Sequence, residues 1–167
     1  MVCKTIGTTC DAAKDEEKMT NRLDWHHTWM AMAKVMSLRS ECERSQVGAV
    51  IVNDKNRIIA TGYNGPPSGE LSRCEHSCPR NLGEVGTGYG FSCISIHAEA
   101  NALLFCDRST IEGGALYVNA VPCEDCAKMI ANSGLKHVFF VDDKKPNRNA
   151  ASIIKYLHRY GIHVATL

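Results

Sequence analysis

The stretch ALYVNAVPCEDCAKMIANSGLKHVFFV, residues 115–141, decides the fold. Ala115–Asn119 and His137–Val141 are short runs rich in β-branched and aromatic residues, and they read as strands. Residues 123–133 between them read as a helix. A strand, a helix and a second strand make a crossover unit whose strands run parallel. The alternation continues on both sides. A helix over 97–107 precedes the first of these strands, and a helix over 149–160 leads into a strand at His163–Leu167. Upstream, QVGAVIVNDKNRIIATGYNG (46–65) reads as a hairpin. Its strands are Val47–Val52 and Arg57–Gly62, and Asn53-Asp54-Lys55-Asn56 is the turn. The expected fold is therefore α/β, with helices on both faces of a mixed sheet of about five strands. The first two strands are antiparallel and the rest largely parallel.

One more helix opens the chain's ordered part. Asp24 has the chemistry of an N-cap, and Trp25, Trp29, Met32, Ala33 and Met36 then recur at i, i+4, i+7, i+8 and i+11. That spacing predicts an amphipathic helix to about Arg39 with this stripe in the core. His26 and His27, at its start, read as solvated or capping residues. Residues 1–20 are a polar lead-in, with Met19 a candidate alternative start, and 21–167 are expected to form a single domain. Residues 70–92 show no clear period and carry Cys74 and Cys78. A loop of that length in a compact domain is usually functional or tied by a metal.

Composition excludes several classes. Hydrophobic residues make up 44% and charged residues 22% of the 167, both ordinary for a globular protein. A net charge of +1 leaves no chain-wide field for a polynucleotide. No run approaches the roughly 18 apolar residues of a membrane span. The N-terminus lacks the apolar centre of a signal peptide, so a cytoplasmic location is expected. The nine cysteines are odd in number. In a reducing compartment they read as free or metal-bound thiols. Cys42 and Cys106 read as ordinary half-buried residues.

Two short motifs carry chemistry. Cys123-Glu124-Asp125-Cys126 opens a predicted helix behind Pro122, so both sulfurs lie near the helix's positive end, which favours thiolate. Alone, this pair is half of a zinc site, a redox pair or two buried cysteines. His97-Ala98-Glu99 opens another helix. Spaced two apart, His97 and Glu99 do not share a helical face, but both can serve at a half-wound helix mouth. His97, Cys123 and Cys126 make three protein ligands for zinc and leave one tetrahedral position open, the mark of a catalytic site. Glu99 is then the group that takes a proton from water and returns it to a leaving amine, the economy of a hydrolytic deamination. The competing packing reading makes Glu99 a helix cap beside a buried His97.

H-x-E followed by P-C-x-x-C is the signature of zinc nucleobase deaminases. SQVGAVIVNDKNRIIATGYNGPPSG, HAEANAL, ALYVNAVPCEDCAKMIANSGLKHV and AASIIKYLHRYGI extend the likeness from about Trp25 to the C-terminus. In these blocks the chain resembles the cytidine and deoxycytidylate deaminase superfamily. Its G-Y-N-G-x-P loop and C-A-K-x-I ending point to the nucleotide branch.

The resemblance implies a three-layer α/β/α architecture, zinc on His97, Cys123 and Cys126, and Glu99 as proton shuttle. The implied reaction is dCMP to dUMP and ammonia, feeding thymidylate synthesis. It implies backbone contact of Ala98 with the pyrimidine and contact of Asn64 with the sugar, where Gly62 and Gly65 allow close approach. Arg108, with Phe105 three before it, is implied near the substrate phosphate or an adjacent subunit. Lys144, in Asp142-Asp143-Lys144-Lys145 after a parallel strand, is a second phosphate candidate. The resemblance further implies hexamers and control by dCTP and dTTP, with Mg2+ accompanying the nucleotide. Cys74, Cys78 and Cys93 are candidate ligands of a second, structural zinc. Other small pyrimidines (cytidine, dCTP, 5-modified dCMP) remain alternative substrates. A structural-zinc interaction module is the rival from another class, and an uncoordinated Glu99 speaks against it.

Overall fold

The computed structural model describes residues 22–42, 44–69, 93–142 and 149–167. In chain order its elements are α1 (Trp25–Ser37), β1 (Gly48–Val52), β2 (Ile58–Tyr63), α2 (Ala98–Leu104), α3 (Arg108–Ile111), β3 (Ala115–Val118), α4 (Glu124–Ser133), β4 (His137–Phe140), α5 (Ala150–Arg159) and β5 (His163–Thr166). The sheet order is β2-β1-β3-β4-β5. β1 pairs antiparallel with β2 and β3, and β3–β4 and β4–β5 are parallel. The mixed five-stranded sheet anticipated from the alternation is thus present, with α3 added as a short helix beyond the helix expected over 97–107, which ends at Leu104.

Side-chain alternation builds three layers. On one face Ile51, Leu116, Val118, Val138 and Phe140 pack with Ala98, Ala102, Ile130 and Leu157 of α2, α4 and α5. On the other face Val50, Val52, Tyr117 and Phe139 pack with Trp29, Met30 and Ala33 of α1. Successive strand residues point to opposite faces, so each central strand feeds both clusters. The layers are unequal: α2, α4 and α5, with Ile111 of α3, cover one face, and α1 covers the other.

α1 begins as expected, with Asp24 accepting the His27 N–H at 2.9 Å and meeting the His27 ring at 2.7 Å. Its buried face is different from the predicted stripe. Trp29, Met30, Ala33 and Ser37 are buried, whereas Trp25 is 46% and Met32 38% exposed. At 100° per residue, Trp25 and Met32 sit about 100° from the centre of the buried arc. Trp25 is held instead by stacking on Trp29 at 5.0 Å between centroids. His26 does more than cap: its Nδ1 lies 2.9 Å from the Tyr117 hydroxyl and ties α1 to β3.

Two glycines set how closely helices approach the sheet. A Cβ on Gly48 would collide with the Ala33 carbonyl of α1, and one on Gly62 with the Ala98 carbonyl of α2. Gly62 therefore serves helix packing, not the approach of a sugar. Gly62→Ala is expected to destabilise the protein by ~1–3 kcal/mol through overpacking against backbone, read as a lower unfolding midpoint. Among the described residues no helix is long and apolar enough to cross a membrane.

Candidate active site

Two helix mouths, those of α2 and α4, meet at one end of the sheet. β3 ends at Val118, and residues 119–123 lead into α4. Cys123 is the N-cap of α4, its extended backbone (φ −76°, ψ 171°) leaving Sγ to accept the Cys126 N–H at 3.4 Å. Pro122 stands one residue ahead of the cap, not in the first helical turn, and there it favours an extended Val121. His97 is the N-cap of α2 and makes no side-chain capping bond; its ring faces the cysteines. His97 Nδ1 lies 3.3 Å from Cys123 Sγ and 3.5 Å from Cys126 Sγ.

These distances test the fit of a zinc ion. Ligands at roughly 2.3 Å (sulfur) and 2.0–2.1 Å (nitrogen) in tetrahedral array have N···S edges of about 3.6 Å. The observed edges match within a few tenths of an ångström. All three ligand atoms lie within 4.8 Å of one another, and they form the one such cluster of three or more among the described residues. An imidazole and two thiols are zinc's preferred donor set. The fit is good.

Charge around the cluster is asymmetric. The Cys123 thiol is pulled down to about 4, first by the Cys126 thiol that hydrogen-bonds to it, then by the His97 ring and the Cys126 backbone N–H, with burial opposing. Cys126 is held well above the ordinary thiol range, first by Cys123, then by burial, then by the Glu99 charge. Without metal the two thiols therefore titrate as a pair that shares one proton. At about pH 6, iodoacetamide should label Cys123 of the metal-free protein ahead of Cys106 and Cys126, since thiolate is the reactive form. Burial and Asp107 push the Cys106 thiol up. Peptide mass spectrometry reads the order, and added zinc should protect Cys123.

Glu99 is 3% exposed, in the first turn of α2, and its carboxylate interacts with Cys126. A carboxylate so buried is rare unless it is paired or functional. Ala98 is fully buried next to it. The structure thus brings together His97, Ala98, Glu99, Cys123 and Cys126.

Asn64 is buried, and its amide is engaged: Oδ1 accepts the Val47 N–H at 2.7 Å and Nδ2 donates to Ser45 O at 2.9 Å. Gly65 pairs with Ile96, the residue before His97, so this loop is tied to the cluster through backbone. Asn119, which the sequence reading passed over, mirrors Asn64. Its Oδ1 accepts the Gly48 N–H at 2.8 Å and its Nδ2 donates to Gln46 O at 3.3 Å. Two asparagines, at the ends of the strands that flank β1, therefore grip residues 45–48 from both sides. An Asn four residues before the first Cys was the available signal.

Arg108 does not join the cluster. It lines a groove with Leu103, Cys106, Met129, Asn132 and Ser133. Met129 to Ser133 lie one to two turns beyond Cys126 along α4. Phe105 is exposed and borders a separate cavity of about 470 Å³ with Met36, Arg39, Tyr63, Gly65 and Asn101. Cys93 is a half-buried free thiol. Cys74, Cys78 and Lys144 lie outside the described residues.

Residues 23–142 match the sequence model of the family described as "Cytidine and deoxycytidylate deaminase zinc-binding region". The chain is 43% identical over 126 residues to a deoxycytidylate deaminase of Mycobacterium phage D29, covering 72% of this chain and 96% of that one. It is 35% identical over 141 residues to the deoxycytidylate deaminase of Homo sapiens, covering 84% and 78%. Among solved structures it is similar to the dCMP deaminase of cyanophage S-TIM5 in complex with dCMP and dUMP. The TM-score is 0.66 at 31% identity, over 84% of this chain and 95% of that one.

Proposed function

The chain belongs to the cytidine and deoxycytidylate deaminase family, and from that premise we propose that it hydrolyses dCMP to dUMP and ammonia, supplying dUMP for thymidylate synthesis. The observation that carries this reading is the convergence of His97, Cys123 and Cys126 on one point with the buried carboxylate of Glu99 beside them. Zinc, held by those three side chains, supplies a Lewis acid that brings the pKa of water down toward about 7.

The protein's own groups do the rest. Glu99 takes a proton from the water that attacks C4 and delivers it to ring N3. It then carries the second proton to the exocyclic amine, which departs as ammonia when the C4–N bond breaks. Both protons of the water are accounted for, one on N3 of dUMP and one on the ammonia. Burial of Glu99 keeps competing solvent away from these transfers.

Ala98 contacts the pyrimidine through its backbone, at the point where α2 begins. Asn64 keeps one amide hydrogen beyond its bond to Ser45, and we assign it to the sugar. Arg108, at the start of α3, lines a groove beside Met129 to Ser133 of α4 and not the zinc cluster, which supports its acting on the phosphate of an adjacent subunit. A hexamer is the assembly we assign. Lys144 is the second phosphate ligand, and Cys74, Cys78 and Cys93 hold the second zinc. The 470 Å³ cavity, joined to the catalytic end through the Gly65–Ile96 bridge, is the seat we assign to dCTP or dTTP with Mg2+. Residues 21–167 form the single deaminase domain behind a lead-in of 1–20. The cytoplasm, a reducing compartment that suits so many cysteines, is the location we assign.

Ammonia release from dCMP, CMP, deoxycytidine, cytidine, dCTP and 5-substituted dCMP, with and without dCTP as effector, tests the proposal. dCMP is expected to turn over and the nucleosides not. Turnover of nucleosides in place of dCMP would move the chain to the cytidine branch and remove the phosphate roles of Arg108 and Lys144.

A further inference from the structure

At the opposite end of the sheet from the Cys123–Cys126 turn, the α1 face carries a belt of rings that the deamination does not use. Tyr117 and Phe139 stack at 4.8 Å, His26 packs on Phe139 at 4.4 Å, and His137 and His163 follow at the edge. We propose that His137 and His163 form a second divalent-cation site, for a borderline cation of the Ni2+, Cu2+ and Zn2+ class, with water completing the coordination.

The pairing is built by the strands. His137 and His163 are the first residues of β4 and β5 and face each other in register across a parallel ladder. Parallel register partners project from the same side of the sheet. Their ring centroids lie 5.7 Å apart, with the planes inclined at 58°. Two imidazoles bound to one tetrahedral cation through metal–nitrogen bonds of roughly 2.0–2.1 Å place their centroids about 5 Å apart. A small side-chain rotation closes the difference, because both rings are exposed and neither has a ring hydrogen bond among the described residues. Their backbones are already fixed: the His137 N–H donates to Gly114 O and the His163 N–H to Lys136 O. Phe139 backs both rings, at 6.4 Å from His137 and 6.3 Å from His163.

The surroundings favour the ligating form. Burial, then the charges of His163 and His26, hold the His137 ring below the ordinary imidazole range, so it is neutral near pH 7. Neutral imidazole is the form that binds a metal. The Asp54 side of the adjoining cavity, about 280 Å³ and lined also by His26 and Tyr117, adds a carboxylate to the neighbourhood. Two nitrogen donors and no thiol give the affinity order Cu2+ above Ni2+ and Zn2+, and no selectivity for Mg2+. A cation here would join the edge strand β5 to β4, so binding should raise stability without touching the deaminase chemistry.

The test uses the untagged, zinc-loaded full chain titrated with Ni2+, a probe that does not oxidise thiols. Calorimetry should show one saturable equivalent beyond the resident zinc, with metal analysis showing that zinc is retained and the unfolding midpoint rising. His137→Gln and His163→Gln should each abolish the saturable phase and the midpoint shift, while His158→Gln, at an exposed position on α5, should leave both intact. Both target side chains are exposed, and each variant's circular dichroism checks that it folds. Saturable binding that survives in both variants, release of zinc as Ni2+ enters, or the absence of a saturable phase in the parent chain would each overturn the proposal.

Discussion

Glu99→Gln is expected to lower kcat for dCMP by about 10²- to 10⁴-fold, the range a general acid–base group supplies, or ~3–5 kcal/mol of barrier. Zinc content should be unchanged. The amide keeps the shape of the side chain in a site where the parent residue is 3% exposed, but it cannot accept and return a proton. The same change removes one of the three influences that hold the Cys126 thiol high. The variant should therefore bind zinc at least as tightly as the parent. A variant that retains activity would end the proton-shuttle assignment. One that loses zinc along with activity would recast Glu99 as a support for the ligands.

Cys126→Ser is expected to abolish turnover and to leave less than one zinc per chain at this site, while the sheet stays folded. The two hydrophobic clusters on either face of the sheet are made by side chains that do not depend on the metal. Metal analysis after dialysis checks the loss, and circular dichroism checks the fold. The same thiol predicts a pH dependence. In the metal-free protein Cys123 is drawn down to about 4 while Cys126 is held well above the ordinary thiol range, so the pair keeps one proton at neutral pH. Zinc must displace that proton, because it binds thiolate. Affinity should therefore rise about tenfold per pH unit between about pH 7.5 and 9, one proton released per zinc bound. A chelator competition across that range measures the slope. A flat profile would mean that both thiols are ionised before metal arrives.

Much of this was legible in the sequence, for identifiable reasons. The strand–helix–strand reading of 115–141 succeeded because each element is short and its period is clear, and it fixed the parallel half of the sheet. His97, Cys123 and Cys126 were legible because N-cap positions put ligands at helix mouths whatever the tertiary detail. The stripe on α1 was misassigned by about a quarter turn. Trp25 and Met32 are apolar, yet the Gly48 contact fixes the helix by Ala33, and that contact is invisible to periodicity. Gly62 was read as space for a ligand, but it is space for α2. The short α3 went unread because a four-residue helix leaves almost no periodic signal, and it turns Arg108 into a groove along α4.

The bond set around Asn64 bears on how this protein ages. Asn64 precedes Gly65, and an Asn–Gly step in a free loop is the sequence most prone to spontaneous cyclisation and loss of the side-chain amide as the following N–H attacks it. Here the attacking nitrogen is occupied, since the Gly65 N–H donates to Ile96 O at 3.2 Å. The amide under attack is gripped by Val47 and Ser45. The reaction needs the chain to swing the two groups into line, which would break the tie to the residue before His97 and the hold on β1 together. Chemical wear at this step is therefore governed by how often the loop opens, and a population stored long enough would lose its most open molecules first.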